Sequence, residues 1–247
     1  MARFLDLSSE LRNRVYELCF LHQEPIDPWT GYNPRQELTP GLLRANKTIH
    51  REASSLFYAQ NCFDLCRATP EDIALFLGRI GRVNAEYIQH ICVDFPNLRD
   101  LEVGNVTFEE DSGDIFATIQ SGCAKLRTLK MSLDSTNTMV LKLDALDYPK
   151  IVIEALTLVN SRFRAISSLQ DIVVEVYENS LSEYLRRAME SHGWTVSEIE
   201  YVEDWGSDRS SWDYDWDHDF GYGGGDDDDD DDYDIDNDSD FWRRAGD

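Results

Sequence analysis

The chain of 247 residues lacks any cysteine pair at CxxC spacing, and its five cysteines (Cys19, Cys62, Cys66, Cys92 and Cys123) are odd in number. Such a set argues against a secreted disulfide framework and for reduced, buried thiols in the cytosol or nucleus. Long apolar runs are also missing. The best candidate, Ile151–Val159, is far shorter than the roughly 18 apolar residues of a membrane span and contains Glu154. The opening MARFLDLSSELRNRV carries charges where a signal peptide needs an unbroken apolar stretch. A soluble, non-exported, cytoplasmic or nuclear protein with no membrane partner is therefore expected.

Catalytic signatures are absent as well: the sequence has no GxSxG, P-loop, GxGxxG or HExxH. The nearest glycine pair, Gly78-Arg79-Ile80-Gly81, lacks the Lys-Ser/Thr end of a phosphate cradle. None of the five histidines (His22, His50, His90, His192, His218) sits in a recognisable catalytic pattern. Cys62 and Cys66 would face the same way on a strand, but a closed zinc site needs four ligands and no second pair lies at usable spacing. Core thiols, no metal, no cofactor and no enzymatic activity are the expectation. In the tail, Asp213, Asp215, Asp217 and Asp219 alternate, but Phe220 follows where an EF-hand needs glycine, and the downstream bidentate acid is missing.

Positive charge is scarce. With 23 Lys and Arg against 48 Asp and Glu, the net charge is −25. From Glu203 to Asp247 there are 19 acidic and 3 basic residues, so this tail carries −16 and the body −9. Direct nucleic-acid binding is disfavoured, because phosphate neutralisation needs surplus Lys and Arg. Basic proteins are favoured partners instead.

What is present divides the chain into three segments. Residues 1–66 are helical at both ends of a proline-rich loop. In the first helix Ser8 is an N-cap and Glu10 stands in the first turn, where the helix dipole favours an anion. Leu11, Val15 and Leu18 recur at i, i+4, i+7 as one apolar stripe, while Tyr16 and Phe20 form a second on another side. A helix apolar on two sides buries both within its fold or offers one to a partner. Pro25, Pro28, Gly31, Pro34 and Pro40 make the following stretch a loop. A second helix is expected over 40–59, with Leu42, Ala45, Ile49, Ala53 and Leu56 on one face and a basic face of Arg44, Lys47 and Arg51 opposite. NCFDLC then alternates as a strand, with Cys62 and Asp64 on one side and Phe63 and Leu65 on the other.

Residues 67–202 alternate between helices and strands. Thr69-Pro70 starts a helix over 71–80, and further helices are expected over 114–122, 148–164 and 181–192, the last closed by Gly193. Strands are expected over 88–95, 126–133, 169–177 and 195–202. The class is α/β with a mostly parallel sheet, and the uneven spacing makes any leucine-rich-repeat-like array irregular. Residues 203–247 are an Asp-rich tail for which disorder is expected, with a poly-Asp run from Asp226 to Asp232. Its Trp205, Trp212, Tyr214, Trp216, Phe220 and Tyr222 are apolar anchors in an acidic chain. The tail is open to three readings: a docking segment, a solubilising appendage, or a strap folding back on the Arg44/Lys47/Arg51 face.

Three runs together resemble fungal F-box-like proteins. The first is Phe4 to Leu18, FLDLSSELRNRVYEL, similar to that family's opening of leucine-proline-x-glutamate-leucine, then Arg-Asn, an aliphatic, an aromatic and a leucine. The second is Leu42 to Ala53, LLRANKTIHREA, continuing through Leu56-Phe57-Tyr58 and Asn61-Cys62-Phe63. The third is Phe76 to Gly81, leading to Ile88–Ile91. Ser8 stands where the family has proline, and the tryptophan that commonly ends an F-box is missing. The resemblance implies an adaptor that binds the Skp-type linker subunit of a cullin–RING ubiquitin ligase and holds a protein substrate with its downstream domain. On that reading Leu7, Leu11, Val15 and Leu18 contact the linker, with Tyr16 and Phe20 packing inward. The alternative is a stand-alone interaction protein whose acidic tail binds basic, histone-like partners.

Overall fold

A computed structural model describes residues 4–29, 40–146 and 148–200 of the chain. The expected tail and most of the proline-rich loop lie outside the described residues.

A 3-10 turn, Phe4–Asp6, leads into α1, Ser9–Phe20. The Ser8 hydroxyl oxygen accepts the Leu11 N–H at 3.4 Å and Glu10 lies in the first turn, as the sequence predicts. The expected second helix is instead two: a single turn, α2 (Pro40–Leu43), and α3 (Lys47–Gln60). Asn46 breaks the run because its carbonyl side chain accepts the N–H groups of Thr48 and Ile49, capping α3 there. Ala45, expected on the core face, is consequently exposed in the turn.

Three groups lock α1 onto α3. The Arg12 guanidinium donates to both carboxylate oxygens of Glu52, at 2.8 and 2.6 Å, and the Tyr16 hydroxyl donates to the same carboxylate at 3.0 Å. At the far end, the buried Asn61 side chain donates to the Phe20 and Phe57 carbonyls and accepts the His22 N–H. Every polar atom of that amide is thereby satisfied, as burial requires.

The sheet has five strands: β1 (Cys62–Asp64), β2 (His90–Val93), β5 (Thr128–Met131), β6 (Asp171–Tyr177) and β7 (Thr195–Ile199). They lie side by side in chain order, and every neighbouring pair is parallel. Crossovers between parallel strands are almost always right-handed, so connections that never reverse direction fall on one face. The helices obey this. Phe76 of α4 (Pro70–Ile80) meets Phe63 of β1, Leu77 of α4 abuts Gly122 of α6 (Glu110–Gly122), and Phe116 of α6 meets Phe163 of α8 (Pro149–Arg164). Trp194, just before β7, packs on Phe163 and donates its indole N–H to Asn160.

The face beneath these helices is apolar except at its β7 edge, where Glu198 stands level with Val176 and pairs with Arg186. Phe63, Ile91, Val93, Leu129, Met131, Ile172, Val174 and Val176 are all buried. The rings of Phe20, Phe57, Tyr58 and Phe63 pack in sequence, so the N-terminal helices share one continuous core with the sheet. The boundary read at residue 66 falls just after β1, the sheet's first strand. Ile26 protects that strand's outer edge, donating to the Cys62 carbonyl and accepting the Asp64 N–H at 2.8 Å each.

Several elements were not expected. α5 (Arg82–Ala85) follows α4, and a short antiparallel pair, β3 (Leu98–Arg99) and β4 (Thr107–Phe108), precedes α6. α7 (Leu133–Asp144) begins where the expected strand was to end, capped by Ser132. Its buried Thr136, Met139, Val140 and Leu143 have helical spacing, but the Ser/Thr/Asn-rich start obscures it. The last helix, α9 (Glu183–Ser191), ends as predicted: Gly193 at φ +76° lets its own N–H reach the Glu190 carbonyl and the Trp194 N–H reach that of Met189. Among the described residues no helix is long and apolar enough to cross a membrane.

Candidate functional site

Among the described residues, two surfaces are left uncovered by this architecture. The first is the outer side of α1. Leu11 is 56% exposed and Leu18 74%, with Leu5 and Leu21 exposed beside them, while Leu7 and Val15 are half-buried. Tyr16 and Phe20, on the other side of the same helix, are completely buried. Of the two arrangements the sequence left open, the chain therefore buries one stripe and exposes the other. The Arg12–Glu52–Tyr16 group fixes the rotation of α1 about its axis and so decides which stripe faces out. The Arg12 guanidinium holds the Glu52 carboxyl below its ordinary value, and burial together with the bond to Glu52 pushes the Tyr16 phenol up to about 12.

The expected basic face is only partly assembled. Lys47 and Arg51 lie one turn apart on α3 and are exposed. Arg44 belongs to the turn before the Asn46 cap, so the helical i, i+3, i+7 relation does not hold for it. The tail that was to meet this face, including Trp205 and the poly-Asp run, lies outside the described residues, as do the alternating aspartates of the calcium reading.

The second surface is the helix-free face of the sheet. Parallel register aligns Cys62, His90, Thr128 and Asp171 in one row across it, and Asp64, Cys92, Lys130, Val173 and Thr195 in the next. Most of these side chains are half-buried, against near-complete burial on the opposite face. Lys130 pairs with Glu175 at 2.7 Å. Burial alone would lower the lysine's pKa, but Glu175 outweighs it and holds the ammonium charged. Burial, aided by the charge of Arg127, lowers the pKa of His90, leaving the imidazole neutral at neutral pH.

At the C-terminal ends of β1 and β2, the Sγ atoms of Cys66 and Cys92 are 3.6 Å apart, and a carboxylate oxygen of Asp64 joins them within 4.8 Å. The Cys66 N–H donates to Asp64 Oδ1 at 3.0 Å. Alongside, Asp94 accepts the Arg67 N–H and the Ser132 hydroxyl. The sequence pairs Cys62 with Cys66 and shows no second pair at usable spacing. The partner comes instead from a different strand, 26 residues on. Alternation in NCFDLC and IQHICVDF does place all these groups on one face, but which residues sit opposite one another depends on register.

A depression of about 370 Å³ lies between Leu101, Glu102, Val103, Leu146, Tyr148 and Ile151, and its lining includes neither histidine nor cysteine. Because the strand order never reverses, the sheet has no topological switch point, where doubly wound folds form their ligand crevice. No family model, no curated protein and no solved structure matches this chain.

Proposed function

We propose that the protein is a protein-binding module, most concretely an F-box-type substrate-recognition subunit of a cullin–RING ubiquitin ligase. The outward stripe of α1 docks the Skp-type linker subunit, and the open sheet face holds a protein substrate. One observation carries this reading. Leu11 and Leu18 remain exposed on a helix whose other side is fully buried, and monomeric proteins seldom leave clustered large apolar side chains in water without a use. The order of the three F-box-like runs supports it, since they supply the helices that present this stripe.

The test is co-elution of the purified chain with a Skp-type linker subunit. Leu11→Asp and Leu18→Asp should each abolish the complex. Both side chains are mostly exposed, so unfolding free energy should change by less than about 0.5 kcal/mol. Absence of a complex between the wild-type chain and the linker at micromolar concentration rejects the adaptor role.

A second reading rests on the net −16 of residues 203–247: a stand-alone interaction protein whose tail captures basic, histone-like proteins. It requires binding that weakens steeply with salt and is lost on truncation after Val202. Unchanged binding by the truncated chain excludes it.

A further inference from the structure

We infer that Cys66, Cys92 and Asp64 form a binding site for a single thiophilic divalent cation such as zinc, at the C-terminal end of the open sheet face. Two thiolates bound to one tetrahedral zinc at about 2.3 Å each sit about 3.8 Å apart, and the two Sγ atoms already stand at 3.6 Å. A disulfide would instead need them to close to about 2.05 Å. The third donor, a carboxylate oxygen, lies within 4.8 Å of both sulfurs.

Backbone geometry holds the donors in place. Asp64 and Cys92 are register partners on adjacent parallel strands, and Cys66 lies two residues beyond Asp64. The Cys66 N–H anchors the Asp64 carboxylate, as outer hydrogen bonds orient metal ligands generally. The Leu65 N–H donates to the Cys92 carbonyl at 2.8 Å, which ties the two ligand-bearing segments together beside the site. Cys92 is buried and Cys66 half-buried, so one sulfur anchors the cation while the other side faces solvent. The set S₂O leaves the fourth tetrahedral position for water. Binding releases the thiol protons to solvent.

The experiment titrates the full-length chain, kept reduced, with Co(II). The Asp-rich tail also attracts divalent cations, through carboxylates and His218 but with no sulfur, whereas thiolate ligation produces an intense sulfur-to-cobalt charge-transfer absorption in the near ultraviolet. The expected result is that band rising to saturation at one equivalent and bleaching when Zn(II) is added. It should be lost in Cys66→Ser and in Cys92→Ser and retained in Cys19→Ser, whose cysteine lies on α1. Cys66 is partly exposed, so Cys66→Ser serves as the decisive variant should Cys92→Ser misfold. A wild-type chain without the band, or a folded Cys66→Ser chain that keeps it, overturns the site.

Discussion

The two faces of the five-stranded sheet are built from alternate residues of the same strands, yet they obey different rules. On the helix-covered face, Leu129, Ile172 and Val174 are completely buried, and the charged Glu198 stands only at the β7 edge. On the open face, one residue along each strand, stand Thr128, Lys130, Asp171 and Glu175, half-buried or exposed. The first face holds the fold together through apolar area and dispersion. The second pairs charges and clusters thiols. α1 repeats the division on a helix, with Tyr16 and Phe20 inward and Leu11 and Leu18 outward.

Three substitutions sharpen that contrast. Leu129→Ala, on the covered face, should have the largest effect, a loss of about 2–5 kcal/mol in denaturant unfolding from lost burial plus a residual cavity. Its neighbour Lys130→Met tests the open face. It strands the half-buried Glu175 carboxylate, so the loss should be about 1–2 kcal/mol, below the range for fully buried pairs because solvent reaches both groups. A double-mutant cycle with Glu175→Gln should recover most of it. If Lys130→Met proves as damaging as Leu129→Ala, the open face is structural and the distinction fails.

The smallest effect is expected at the α1–α3 contact. Glu52→Gln should lower Tm by roughly a degree or two near neutral pH, since the group is close to solvent. Because Arg12 holds the folded-state pKa of Glu52 below its ordinary value of 4.5, the wild-type advantage is present above that value. It disappears as pH falls through the lowered folded value. Thermal melts of both proteins from pH 7 to pH 2 should therefore converge at the acid end. A gap that persists at low pH would mean that Glu52 acts through packing and not through its charge.

Most of the elements could be read from local pattern. The Ser8 and Thr69 caps, the Gly193 terminus and the alternation of strands β1, β2, β5 and β6 are consequences of short-range chemistry. Hydrogen bonding of a side chain to a backbone N–H three residues away requires no knowledge of the rest of the chain. What failed locally also failed for local reasons. Asn46 falls inside the helical periodicity although its amide competes for backbone donors, and the polar start of α7 hides an apolar stripe that appears only from Thr136 onward. The candidate sites were legible to different degrees. The two stripes of α1 follow from periodicity, but the thiol–carboxylate cluster joins residues on separate strands.

Sequence alone determined the α/β class, the acidic imbalance and its location, and the existence of two apolar sides on the first helix, because these depend on residue type and spacing. Tertiary structure decided which side of that helix meets water, through the Arg12–Glu52–Tyr16 contact across 40 residues of chain. It also decided that the strands stack in chain order, leaving one sheet face free of helices among the described residues, and that Cys92 lies beside Cys66. Each of these is a long-range pairing, whose stability comes from the whole core closing at once and not from any segment taken singly.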